Sequence, residues 1–270
     1  MFILKKLSRI VHRYSSIWVL FAKYSVQQQL SSQLAAFFFF VGKVFRFVIS
    51  IAFILLLRPH ATNLMGYTFQ EVIVFFLVFT LIDTLSQMIM RGVYSFEPKI
   101  RTGAFDFTLT KPLNPLFQAL IGSPDFNDVL AAIPLFGFSF WYLIGHGYFA
   151  EMGTSLLFLL YLANGMLIAA AFHIFVLCVG IAFLEVDNAV WMYRDIIQMG
   201  RFPIDIYREP MRWIVTFIVP TGIMISYPAR ELIGKASNFA WIGLVVGVVL
   251  FVLSLLTWKR ALKAYSSASS

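Results

Sequence analysis

Charge is what this chain has least of. Of its 270 residues only 13% are Asp, Glu, Lys or Arg, against roughly 25% in an ordinary soluble domain. So little charge cannot cover a water-facing surface, which excludes most soluble classes. Cysteine is nearly absent. The single Cys178 lies inside an apolar run, cannot form an internal disulfide, and carries no information about redox compartment. The phosphate-cradling G-x-x-x-x-G-K-[ST] is missing. Its nearest fragment, Gly234-Lys235-Ala236, lacks both the first Gly and the hydroxyl residue, so the chain is not expected to hydrolyse ATP unaided. Gly-x-Ser-x-Gly is absent too. The four His residues, His12, His60, His146 and His173, are scattered, with no H-E-x-x-H and no ligand-pair spacing. No metal site is expected, and His173 reads as a hydrogen-bonded interior residue. There is no small-residue cleavage site after the basic start of the chain, and no internal repeat.

What is present is apolar. Hydrophobic residues make up 60% of the chain and aromatics 17%, with 30 Phe among them, and mean hydropathy is +0.82. That composition suits lipid contact and interfacial anchoring. Apolar runs cover 34–57, 72–90, 129–149, 156–184 and 239–258, with a shorter run at 213–227. A crossing helix needs about 20 residues, and five runs meet that length. Before them, residues 1–30 interleave Lys5, Lys6, Arg9, Arg13 and Lys23 with an apolar stripe through Phe2, Leu7, Tyr14, Ile17, Trp18 and Phe21. The spacing is helical and predicts an amphipathic helix lying in the interface. The net charge of +8 therefore points to topology and anionic headgroups rather than to nucleic acid.

Basic residues are unevenly placed. Arg91, Lys99, Arg101 and Lys111 crowd into 91–125, and Lys259, Arg260 and Lys263 into the C-terminus, whereas the loops 58–71 and 150–154 hold only Arg58. The positive-inside rule puts both termini and 91–125 in the cytoplasm. That requires an even number of spans, with six the natural count. The remaining crossing has two candidates. The run 213–227 is split by Pro220 and closed by Pro228, which suggests a re-entrant or broken element. The segment 186–202 carries Asp187, Arg194 and Asp195, which would have to face protein. Charge alone favours 213–227, because Arg194, Arg201 and Arg208 would then be cytoplasmic.

Several polar residues fall within the runs: Lys43 and Arg46 on the first, Asp83 and Gln87 on the second, Asn164 on the fourth. Such groups face protein or water and usually find a partner. Lys43 and Asp83 come out about 13 and 12 Å deep from the same side at 1.5 Å per residue. This predicts a clamp in which Lys43, or Arg46, pairs with Asp83.

Between the second and third runs, Arg101, Gly103, Phe105, Asp106, Leu109, Lys111 and Pro112 outline a short amphipathic piece. Phe105 and Leu109, four apart, would share a face suited to a groove in a soluble partner; an ordinary solvated loop could carry the same pattern. The run IRTGAFDFTLTKPLNPLF resembles the loop signature of the ABC-2 transporter permeases, basic–x–Gly–x–x–Asp–x–x–Leu–x–x–Pro. The block 201–229, RFPIDIYREPMRWIVTFIVPTGIMISYPA, is similar to a second family block. The end, with Tyr265-Ser266-Ser267-Ala268-Ser269, is similar to a third. The blocks stand in family order and span essentially the whole chain.

The resemblance implies an all-α polytopic membrane protein. Residues 1–30 would be a connecting helix and 31–270 one transmembrane domain of six spans. A coupling helix would lie in the first cytoplasmic loop. Outer re-entrant helices before the last span would carry Pro203, Tyr207, Trp213, Pro220, Tyr227 and Pro228, making 186–202 the fifth span and placing Arg201, Arg208 and Arg212 outside. It further implies a cell-membrane export permease working by alternating access and paired with a second copy or a related permease. A separate ABC ATPase subunit would hold ATP and Mg, and this chain would bind no cofactor. A stand-alone secondary carrier, which should show paired broken helices, and an integral membrane enzyme, which needs a catalytic cluster, are the alternatives.

Overall fold

A computed structural model describes residues 2–30, 33–56, 66–122 and 124–266. Arg58 and the 267–269 end of the terminal motif lie outside them. Among the described residues the chain is helical, with no β-strand. In order the α-helices are α1 (Phe2–Leu30), α2 (Gln33–Leu56), α3 (Phe69–Ile89), α4 (Phe96–Arg101), α5 (Ala104–Leu109), α6 (Pro115–Ile121), α7 (Phe126–Gly145), α8 (Met152–Phe183), α9 (Val186–Ile197), α10 (Met211–Trp213), α11 (Tyr227–Leu232) and α12 (Ala240–Ala264). Five of them, α2, α3, α7, α8 and α12, are long and apolar enough to cross a membrane.

α3 is the axis of the bundle. It starts with a reciprocal capping box, in which the Thr68 hydroxyl accepts from the Glu71 N–H while Glu71 accepts from the Thr68 N–H. Its apolar window is 78% buried, whereas that of α2 is only 6% buried. An all-round apolar helix inside protein and one at the rim read alike in hydropathy, so only packing separates them. α7, α8 and α11 surround α3, and α12 lies along α8. Asn164, midway along α8, donates to the Gly243 carbonyl of α12 at 2.9 Å. It is therefore a bond between two helices. α2 rests on α7 and leaves a groove towards α3.

The amphipathic start is a single 29-residue helix. Over its described side chains, Tyr14, Ile17, Trp18, Phe21 and Ser25 are half-buried while Arg13, Ser16, Leu20 and Lys23 are exposed, a stripe at helical spacing.

Neither candidate for the remaining crossing is a plain α-helix. α9 has 12 residues and continues as a 3-10 turn, Gln198–Arg201. It begins at Glu97, whose carboxylate accepts from the backbone N–H of Val186 and Asp187 at 2.8 and 2.9 Å. After the turn, Asp205 reaches Tyr67, just before α3, at 2.7 Å. The stretch 186–205 thus runs from the α4 end of the bundle to the opposite end. The run 213–227 is broken: α10 passes into π-helix Ile214–Ile218, the chain turns at Pro220, and π-helix Gly222–Ser226 leads into α11. Thr221 donates back to the Val215 carbonyl at 3.2 Å, a contact that a continuing helix could not make. Met224 lies well inside the bundle: a Cβ on Gly165 of α8 would stand 2.6 Å from its carbonyl oxygen and 3.1 Å from Ile82 of α3. Arg230 and Lys235 then return to Tyr67 and Gly66. The segment 205–235 leaves and re-enters the same end of the bundle.

Candidate functional site

The loop end of the bundle is built around Gly103. Its φ of +72° separates α4 from α5, a backbone conformation that glycine adopts without steric cost. The turn folds the first residues of α5 inward. Phe105 is 1% exposed and edge-on to Phe96 at 5.0 Å and Tyr265 at 5.3 Å, with Trp258 at 6.4 Å. Asp106 accepts from the Tyr265 hydroxyl at 2.9 Å. The expectation that Phe105 and Leu109 form one outward face is therefore wrong for Phe105. α5 has six residues, and its first turn is pinned on α4 and α12. Phe107, 72% exposed, stands outward in its place. Leu109, Lys111 and Pro112 are exposed beside it.

This loop is tied to two other elements. Arg101 Nε donates to Glu97 at 2.9 Å and its Nη2 to the Leu184 carbonyl at 2.9 Å. Glu97 in turn caps α9. The Asp187 N–H, and behind it the Arg101 side chain and the Val186 N–H, outweigh desolvation and hold the Glu97 carboxyl below its ordinary range. On the other flank Arg13 of α1 donates to the Pro112 carbonyl at 2.7 Å, and the Tyr14 ring meets Phe117 edge-on at 4.7 Å.

Deeper in the bundle, Lys43 does not meet Asp83. It pairs with Asp128 at the start of α7, while Arg46 faces Asp83 at 3.8 Å. Of the two partners expected for Asp83, Arg46 is therefore the one found, and Lys43 goes to Asp128, which stands one residue before the apolar run 129–149. Arg91 joins the same cluster, 3.1 Å from Asp125 and 3.7 Å from Asp128. The groove between α2 and α3 is lined by Lys43, Arg46, Asp83, Gln87 and Arg201. It continues towards Arg91 and Arg194 at the loop end and past Phe53 and Phe202 at the other. Arg201 lies with its guanidinium 5.0 Å from the Phe79 ring centre.

At the far end Asp205 accepts from Tyr67 at 2.7 Å and pairs with Arg212 at 2.6 Å and with Arg230. Burial pushes its carboxyl up, but these hydrogen bonds and charges hold it below the usual range. Lys235 adds a second tie, to Glu71 at 2.7 Å. Of the residues expected there, Tyr207 donates to the Met199 carbonyl at 2.9 Å. Tyr227 packs on Tyr161, Trp213 is exposed, and Pro220 and Pro228 mark the break and the start of α11. Sequence reading missed Asp205, Arg230 and Glu97. Their signal is weak, because single charges beside prolines and glycines look like any loop. His173 bonds the Ala169 carbonyl at 2.8 Å, the interior role expected of it.

A "UPF0391 membrane protein" of Nitrosococcus oceani is 42% identical over 48 residues, 18% of this chain and 86% of that protein. No solved structure matches. The model of the ABC-2 family transporter proteins matches residues 44–269, most of the chain. The chain is a membrane protein that belongs to the ABC-2 transporter family.

Proposed function

We propose that this chain is the permease of an ATP-driven exporter and that a separate ABC ATPase drives it through the 101–112 loop. The observation that carries the reading is the double tie of that loop. It presents Phe107 and Lys111 to the outside, while Glu97 and Arg101 fix it to the start of α9 and Arg13 fixes it to α1. A push on α5 therefore reaches α9 through hydrogen bonds and short turns. Rigid elements with satisfied polar contacts can transmit such a displacement.

In this reading α9 and its 3-10 extension form the fifth of six crossings. Twelve α-helical and four 3-10 residues rise about 26 Å, close to the roughly 30 Å hydrocarbon core. The segment 205–235 is the outward re-entrant cap, latched by Asp205, Arg230 and Tyr67. Both termini are cytoplasmic in the cell membrane, and a second permease copy or a relative covers the exposed rim along α2. ATP and Mg sit on the ATPase. The transport step is alternating access: closure of the ATPases moves α5, and α9 re-aims the path.

Affinity purification of the tagged chain from gently solubilised native membranes tests this. A Walker-A ATPase should copurify in near-equal amount with the wild type and be lost with Phe107→Asp. Purification without any nucleotide-binding protein overturns the proposal.

A further inference from the structure

The groove along α2 holds more positive charge than its own carboxylates answer. Five cations line it: Arg91 and Arg194 at the loop end, Lys43 and Arg46 further in, and Arg201 deepest. Against them stand Asp83 on the wall and Asp125 and Asp128 behind Arg91 and Lys43. Arg46 is half-exposed and 3.8 Å from Asp83, beyond hydrogen-bond length. Arg201 Nε is buried and has no hydrogen-bond partner; its guanidinium lies over the Phe79 ring. Cations at this depth are costly unless something pairs with them. Counted along α3 from Ile89, Asp83 lies about 9 Å in and Phe79 about 15 Å in. The positive groups therefore form three steps along the groove, with Arg46 beside Asp83 and Arg201 beside Phe79, about 6 Å further in along α3. Between Arg46 and Arg201 the wall mixes Thr80, Thr84 and Gln87 with Phe47, Phe76 and Phe79, and beside them it is aromatic at Phe38, Phe53 and Phe202.

We infer that the groove carries an anionic amphiphile, a molecule with a phosphate or carboxylate head and a hydrocarbon chain. The head moves from Arg91 and Arg194 to Arg46 and then to Arg201, while the chain lies against the Phe side chains. Arginine suits this task, because its planar fork bonds phosphate and carboxylate in pairs and keeps its charge when desolvated. The apolar wall argues against a head without a tail, and the surplus charge argues against a neutral lipid. This inference names the substrate class of the permease proposed above and rests on that reading.

Binding tests it without transport. The full-length chain is purified into nanodiscs of zwitterionic lipid with whatever subunits accompany it, and no nucleotide is added. The probes are fluorescent lysophosphatidylglycerol, lysophosphatidylcholine of the same chain length, free glycerol 3-phosphate and heparin. The anionic lysolipid should bind about tenfold more tightly than the zwitterionic one, the value of one charge-assisted bond. Arg201→Gln and Arg46→Gln should each weaken it about tenfold, and Arg201→Lys should restore most of the loss. If Arg201→Gln does not fold, the half-exposed Arg46→Gln still decides. Glycerol 3-phosphate should not compete. Equal binding of the two lysolipids, or binding indifferent to both substitutions, overturns the inference. So does competition by free glycerol 3-phosphate, which would make the site a head-only one, or binding of heparin without lysolipid, which would make it a polyanion track. Charge-blind binding in material that retains its ATPase removes this inference alone. Absence of the ATPase with charge-selective binding removes the permease reading and leaves the site.

Discussion

Asp128 is the residue on which the inner polar cluster depends. It is fully buried, holds Lys43, and lies 3.7 Å from Arg91. Removing one partner of a buried pair costs about 3–5 kcal/mol, because the other charge is left unanswered. Asp128→Ala should therefore lower the melting temperature in detergent sharply, and adding Lys43→Ala should recover part of the loss. Strictly additive losses would show that the two do not interact. Glu97 predicts a pH dependence. Its carboxyl ionises below its ordinary 4.5, so its contribution is fully present above that value and lost as pH falls through the lower folded value. The gap in melting temperature between wild type and Glu97→Gln should be constant from pH 6 to 8 and close under acid. A gap that persists in acid would mean that the charge is not what caps α9.

At the scale of elements, α5 carries one buried aromatic, Phe105, and one exposed aromatic, Phe107. Phe105→Ala should open a cavity costing about 3–5 kcal/mol. Phe107→Ala, at the surface, should change stability by less than about 0.5 kcal/mol yet weaken recovery of the ATPase. The reverse pattern, measured by thermal unfolding and copurification, would contradict the orientation of the loop. The long elements were legible in the sequence: runs of hydropathy marked α2, α3, α7 and α8 to within four residues, because about 20 apolar residues have few other uses, whereas α12 continues six residues past its run into the basic end of the chain. Spacing could not tell Phe105 from Phe107, since the inward turn is set by the left-handed Gly103 and by Tyr265, which is remote in sequence. Nor could it pair Lys43. The partner depends on how α2 leans on α7, and depth counted along straight helices carries no lateral information. The break at Pro220 was readable, whereas the latch of Asp205, Tyr67 and Arg230 joins three distant segments and leaves no local trace.

At the scale of the whole molecule, the proposed permease requires an outward cap, a crossing α9 and a loop that faces an ATPase. The outward position of the cap has its own test. A single Cys at exposed Glu209, in a Cys178→Ala background, should react with an impermeant thiol reagent added to intact cells. Labelling only after permeabilisation would place 205–235 in the cytoplasm. The central claim is that the loop is where an ATPase pushes, and cross-linking from the loop itself tests it most directly. A photoreactive amino acid in place of Phe107, irradiated in native membranes, should join this chain to a Walker-A ATPase. The same substitution at buried Phe105 should yield only links within the chain. Cross-links from position 107 to lipid alone, or to proteins that bind no nucleotide, would contradict the account.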